Sequence, residues 1–242
     1  MRSALSFLTV FGRPRAPDGR ALVWFPVVGL VVGAVVGGVW WGAARVWPAA
    51  VAGVLAVSAD AVSTGLLHLD GLADAADGLL PPVERSRRFD IMADPHIGAF
   101  GMVALVLVLA LRVTAFSVTR VDVLAIMGIW CCSRTVMAFA VRALPRAHAP
   151  SASMAASFDD STEGARPGVP AAWWAVAGLT LAVASTVAGA GPRGAVVIGA
   201  ELVAAAAILL FAWRKVGGTT GDVLGAAGVV AETVGLLVLA AK

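Results

Sequence analysis

His68-Leu69-Asp70-Gly71-Leu72-Ala73-Asp74-Ala75-Ala76-Asp77-Gly78 closes an apolar segment too long for an ordinary core helix. If that helix continues through the stretch, Asp70, Asp74 and Asp77 fall at i, i+4 and i+7, and all three carboxylates project from one stripe. Like charges so arranged repel, and the hard-oxygen cations Mg²⁺, Mn²⁺ and Ca²⁺ are what neutralises them. Asp90 and Asp94 repeat the i, i+4 spacing after the helix-breaking Pro81-Pro82. Two acidic helix ends joined by a short turn would face each other across a metal and phosphate site. The plainer alternative is a solvated helix end. Gly71 and Gly78 lower helix propensity and leave room for close approach of backbone or ligand.

Working outward, the 242 residues are 60% hydrophobic and only 14% charged, against about a quarter charged in soluble domains. The expected fold is an all-α polytopic membrane bundle, with residues 1–242 forming a single membrane-embedded catalytic domain. Seven stretches are long enough to cross roughly 30 Å of hydrocarbon: Ala21 to Trp47, Ala49 to Leu67, Gly98 to Thr119, Val123 to Leu144, Ala171 to Gly189, Ala195 to Trp213, and Val223 to Ala241. Of the 18 basic residues, twelve fall in the loops of one side, four on the other, and Arg112 and Arg134 within apolar segments. That bias predicts a cytoplasmic N-terminus and puts the acidic stretch on the nucleotide-bearing side. The basic N-terminus shows no convincing cleavage site for a signal peptide. Adjacent Cys131 and Cys132 read as packing residues.

Gly29, Gly33 and Gly37 form a small-residue stripe that lets another helix approach. Asp60, Glu201 and Glu232 lie inside apolar segments and call for polar partners. Arg134 needs an anionic partner, which favours a carboxylate or phosphate network, and Arg112 carries the same argument more weakly. Leu144 to Pro170 is a long polar connection with the length of a lid over the site, and His148 within it is weak evidence of catalysis. Near the C-terminus, Gly217, Gly218 and Gly221 stand beside Arg214, Lys215 and two threonines, a loop whose N–H groups suit phosphate. Asp222 opens the next helix there, alternatively as its N-cap.

Four stretches together resemble the cobalamin synthase family, the membrane adenosylcobinamide-GDP ribazoletransferases. They are Phe25-Pro26-Val27-Val28-Gly29-Leu30; Thr64-Gly65 through His68-Leu69-Asp70-Gly71-Leu72-Ala73-Asp74 and Asp77-Gly78; Ile91-Met92-Ala93-Asp94 with Gly98 and Gly101; and Gly217-Gly218 with Thr220-Gly221-Asp222, Leu224-Gly225-Ala226 and Glu232. Ser133-Arg134 fits as well. The chain departs from the family pattern at Pro95 and His96, and at Pro145-Arg146-Ala147-His148.

The resemblance implies that the 3′-hydroxyl of α-ribazole, or of its 5′-phosphate, attacks the corrinoid-bound phosphorus of adenosylcobinamide-GDP and that GMP leaves. It implies one or two Mg²⁺ on Asp70, Asp74, Asp77 and Asp94. It further implies a proton acceptor at Asp94 or, second, His68, and phosphate contacts from Arg134, Gly217, Gly218, Gly221 and Asp222. The implied partners are the two substrates and the bilayer of the cell membrane, with no nucleic acid; a homo-oligomer is compatible. A CDP-alcohol phosphotransferase is the nearest rival, but its Asp-Gly-x-x-Ala-Arg pattern is only partly met. A cation transporter would want midplane acids and an internal repeat, and no repeat is visible.

Overall fold

The computed structural model describes residues 1–12, 19–147 and 171–242. His148 and the rest of the expected lid lie outside the described residues. A short helix α1 (Arg2–Leu8) and a 3₁₀ turn (Gly19–Trp24) lead into α2 (Phe25–Ala43), with Pro26 in its first turn, where a missing N–H costs nothing. Then come α3 (Ala49–Ser63), α4 (Leu67–Leu79), α5 (Arg85–Met92), α6 (Ala99–Val118), α7 (Val123–Ala143), α8 (Ala171–Ala190), α9 (Arg193–Val216) and α10 (Gly221–Ala240). Among the described residues the only β pairing is a bridge between Arg146 and Thr219.

Among the described residues six helices are long and apolar enough to cross a membrane: α2 with its 3₁₀ lead, α6, α7, α8, α9 and α10. The seventh expected crossing is different. The helix that begins at Ala49 does not run through the acidic stretch: it stops at Ser63, and α4 departs at 90°. Gly65 takes a left-handed φ of 58°, the usual way to end a helix, and Leu66 follows at φ 64°. A leucine in that conformation costs about 1–2 kcal/mol. The bend is held by Thr64, whose N–H and hydroxyl both donate to the Asp60 carbonyl (3.0 and 2.8 Å), and by Val10 N–H donating to Ser63 O at 2.9 Å. α4 therefore leaves the direction of the crossings and lies over the N-terminal ends of α6 and α10.

Among these six crossings α7 and α10 are the most buried; α7 packs on α2, α8, α9 and α10, and α10 on α4, α6, α7 and α9. The glycine stripe of α2 faces α7 as expected of a packing stripe: a Cβ on Gly33 would stand 2.6 Å from Met127 Cα, and one on Gly29 would strike the Trp130 carbonyl. Outer helices turn large apolar side chains outward, as α6 does with Phe100, Val103, Val106 and Leu107. With little apolar gain from joining helices in lipid, close packing and buried polar contacts hold such a bundle.

The polar contacts are concentrated in one network across four helices. Arg112 of α6 donates to Asp60 of α3 (2.8 Å), to Glu232 of α10 (2.7 Å), to Thr233 Oγ1 (2.9 Å) and to the Val229 carbonyl (2.9 Å). Trp130 Nε1 of α7 donates to the other Asp60 oxygen at 2.8 Å. Arg134 donates to the second Glu232 oxygen, which Ser133 Oγ also reaches at 2.7 Å. Two cations thus balance two anions, all fully or nearly fully buried.

Candidate active site

α4 is fixed at both ends by long-range contacts. Asp77, third in the acidic stripe, accepts from Gly98 N–H (2.8 Å) and Gly101 N–H (2.9 Å), so it caps α6. Arg88, buried on α5, donates to the carbonyls of Gly78 and Leu79, both at 2.8 Å, and closes the C-terminal end of α4. At its middle α4 crosses α10 on two glycines: a Cβ on Gly71 would lie 3.1 Å from Asp222 Cα, and one on Gly225 would lie 3.4 Å from the His68 carbonyl oxygen.

That crossing makes a cleft. It has about 630 Å³ of empty space, part of it open to solvent, and is lined by His68 and Asp70 of α4 and by Gly221 and Asp222 of α10. Thr220 is the N-cap of α10, its Oγ1 accepting from Val223 N–H at 3.2 Å. Asp222 is thereby not needed as a cap, and lies in the first turn at the cleft. The rest of the wall is apolar and comes from α1, α2, α4, α7 and α10.

Asp74 stands half-buried beside this cleft. Burial, then Asp70, Asp222 and Asp77, push its carboxyl up to about 7. Loss of water and neighbouring like charge both disfavour its ionised form. Among the described residues no three His, Cys, Asp or Glu side chains stand close enough together to hold one ion. The donor set still suits Mg²⁺, which needs only one or two carboxylates when phosphate oxygens and water complete its shell.

The remaining expected residues separate from the cleft. Asp94 is exposed on the loop between α5 and α6, accepting from His96 N–H (2.9 Å) and paired with His96 Nδ1 (2.8 Å). Those bonds hold its carboxyl below the ordinary aspartate range. Gly217 and Gly218 belong to a clasp. Gly217, left-handed at φ 74°, lies under the Arg85 guanidinium, and Gly218 packs on the backbone of Pro145 to Ala147. There Thr219 N–H donates to Pro145 O (3.0 Å) and Ala147 N–H to Thr219 O (3.1 Å). Arg134 is fully buried on Glu232, one layer behind Met137 of the cleft wall, with Nε and Nη2 unpartnered among the described residues.

His68 is only 3% exposed, lines the cleft, and has no hydrogen-bond partner on either ring nitrogen among the described residues. Burial, with Arg134 and Arg112 adding, holds its imidazole well below the usual histidine range. It is neutral at pH 7 and has a lone pair to offer.

Two of the three midplane acids of a cation path are accounted for otherwise. Asp60 and Glu232 are locked to arginines, and Glu201 is buried against Gly235. Sequence reasoning passed over the apolar wall, although Met137 and Val141, at i+3 and i+7 from Arg134, mark the same face of α7.

With this geometry in view, comparison with known proteins is decisive. The profile of the cobalamin-5-phosphate synthase family matches residues 1–240. The chain belongs to that family. An adenosylcobinamide-GDP ribazoletransferase of Roseiflexus sp. (strain RS-1) is 34% identical over 98% of this chain and 87% of its own length. That of Bradyrhizobium diazoefficiens is 36% identical over 100% of the chain and 93% of the relative, and that of Leptothrix cholodnii 37% over 86% and 80%. No solved structure matches. For the cobalamin-5-phosphate synthase family, this chain therefore places the central acidic motif and the C-terminal Thr-Gly-Asp motif on facing helices.

Proposed function

We propose that this chain is an adenosylcobinamide-GDP ribazoletransferase, joining α-ribazole or its 5′-phosphate to adenosylcobinamide-GDP with release of GMP. The observation that carries this is the meeting of His68 and Asp70 with Gly221 and Asp222 in one cleft, from motifs in opposite halves of the chain. The acidic end lies at the cytoplasmic face of the cell membrane, with the N-terminus on that side, as the distribution of arginines favours.

In the reaction the acceptor 3′-oxygen bonds to the corrinoid-linked phosphorus, and the bond from that phosphorus to the bridging oxygen breaks. GMP departs with the bridging oxygen. Negative charge grows on the nonbridging and leaving oxygens, so the site must supply positive charge. One or two of the carboxylates Asp70, Asp74 and Asp222 would hold Mg²⁺, with phosphate oxygens and water completing its shell, and it would supply that charge as a Lewis acid. Gly221 N–H, at the first turn of α10, would add a donor to the same oxygens. His68 takes the proton from the attacking hydroxyl. Its weak basicity in the free protein rises when an anionic diphosphate arrives beside it. Asp94, exposed and already hydrogen-bonded, is the poorer candidate. Asp77 and Arg88 hold α4 in position without touching substrate.

Purified protein in lipid nanodiscs tests this. Mg²⁺-dependent GMP release from adenosylcobinamide-GDP that requires α-ribazole or its 5′-phosphate supports the assignment. Release of CMP from a CDP-alcohol, or cation flux without release of GMP, would replace it.

A further inference from the structure

Away from the cleft, on a different face of α7, a cavity of about 570 Å³ lies between α7, α8 and α9. Phe139 of α7, Val176 and Leu179 of α8, and Leu202, Leu210 and Trp213 of α9 line it. Val176 is 60% exposed and Leu210 53%, so the cavity is a groove open along one side. Thr135 and Trp213 bring its only polar side-chain groups among the described residues. The Thr135 hydroxyl is already donated to the Cys131 carbonyl at 2.7 Å. Trp213 stands at the end of the groove, where a membrane crossing meets the lipid headgroups.

The groove runs along half of the bundle's height. From Leu202 to Trp213, α9 rises roughly 16 Å, about half of a 30 Å hydrocarbon core. Toward the other end the gap is closed by Gly128 of α7 and Gly194 of α9, which both pack directly on Thr186 of α8. An apolar slot one leaflet deep, opening sideways between membrane crossings, takes hydrocarbon and not water.

The mouth of the groove is charged. Arg142 follows Phe139 by three residues and Arg214 follows Leu210 by four, so both arginines continue the lining faces beyond the apolar stretch. Both are exposed, and neither has a hydrogen bond or ion pair among the described residues. Residues 135–144, 172–179 and 202–216 contain no Asp or Glu, so the helices that form the groove supply no counter-charge at this end.

We propose that the groove binds an anionic phospholipid from the leaflet on the cleft's side, one acyl chain lying along Leu202 to Trp213 and the phosphate diester meeting Arg142 and Arg214. Guanidinium donors suit phosphate oxygens, and a zwitterionic headgroup offers them less net charge. The bound chain fills the gap between α8 and α9 that no side chain fills, and so braces α7, which carries Met137 and Val141 of the cleft wall on another face. This site stands whether or not the chain is a transferase.

The test uses the full chain in detergent, stripped of lipid, with phosphatidylglycerol or phosphatidylcholine of the same acyl chains added at equal ratio. Native mass spectrometry reads retained lipid, and a melting curve reads its effect. The wild-type protein should retain one phosphatidylglycerol about tenfold better than phosphatidylcholine, and should melt at a higher temperature with it. Ala206→Trp, which fills the groove from its exposed middle, should abolish retention of both lipids. Arg142→Gln combined with Arg214→Gln should abolish the headgroup preference alone. The three substituted positions are exposed, and the wild-type comparison requires no variant to fold. Equal retention of the two lipids by the wild-type protein, or retention unchanged in Ala206→Trp, would overturn the site. A dimer that added lipid does not displace and that Ala206→Trp dissociates would put a second copy of this chain in the groove instead.

Discussion

The Asp77 carboxylate reaches from α4 to cap α6, with Oδ2 on Gly98 N–H at 2.8 Å and Oδ1 on Gly101 N–H at 2.9 Å. One aspartate thus ties the acidic helix to the start of a membrane crossing. Asp77→Ala should lower stability by about 1–2 kcal/mol, the usual cost of a lost cap. Asp77→Asn should lose less, because its amide oxygen still accepts. Gly101→Ala, whose new Cβ would collide with the Asp77 carboxylate, should resemble Asp77→Ala although the aspartate remains. Thermal unfolding of the three variants in one detergent checks the order.

Asp74 predicts how stability depends on pH and Mg²⁺. Its carboxyl is raised from 3.8 to about 7, so between those values the folded protein holds a proton that the unfolded chain has lost. By linkage the metal-free protein loses stability as pH rises through this window toward about 7. A cation bound beside Asp74 competes with that proton. Mg²⁺ should therefore raise the unfolding temperature more at pH 8 than at pH 6, and Asp74→Asn should flatten the difference. Equal shifts at both pH values would remove Asp74 from the cation site.

Arg112 joins α3, α6 and α10 through Asp60, Glu232 and Thr233. Arg112→Leu would leave two buried carboxylates with too little positive charge, a loss of about 3–5 kcal/mol when one partner of a buried pair is removed. The yield of folded monodisperse protein should fall sharply. The double variant Arg112→Leu with Asp60→Leu should recover part of it, and a double-mutant cycle on unfolding temperature measures how much.

The crossing of α4 and α10 separates folding from catalysis. A Cβ on Gly71 would press on Asp222 Cα at 3.1 Å, a contact relieved by a shift of a few tenths of an ångström. Gly71→Ala should still fold, with kcat lowered about tenfold as the two halves of the cleft move apart. Steady-state kinetics beside a melting curve distinguishes that outcome from general destabilisation.

The crossings were legible because twenty-residue apolar runs have no other use, and the α2 glycine stripe because small residues every four positions mark a contact face. The break at Gly65 and Leu66 was not: nothing local makes a leucine adopt a left-handed φ, and the surrounding packing imposes it. The α4 spacing put Asp70, Asp74 and Asp77 on one stripe but could not reveal that Asp77 caps another helix more than twenty residues away. Glycine density at Gly217 and Gly218 suggested a phosphate loop, whereas the structure uses those positions for close approach to Arg85 and to Pro145–Ala147. Arg134 was rightly given an anionic partner, and that partner is Glu232.

The most direct test of the central claim is GMP release by Asp70→Asn and Asp74→Asn proteins at saturating adenosylcobinamide-GDP, acceptor and Mg²⁺, each verified as folded by its melting curve. If the carboxylates of α4 hold the cation that neutralises the diphosphate, both variants should turn over at least a hundredfold more slowly than the wild-type protein. Turnover within a few-fold of wild type in both would contradict the account.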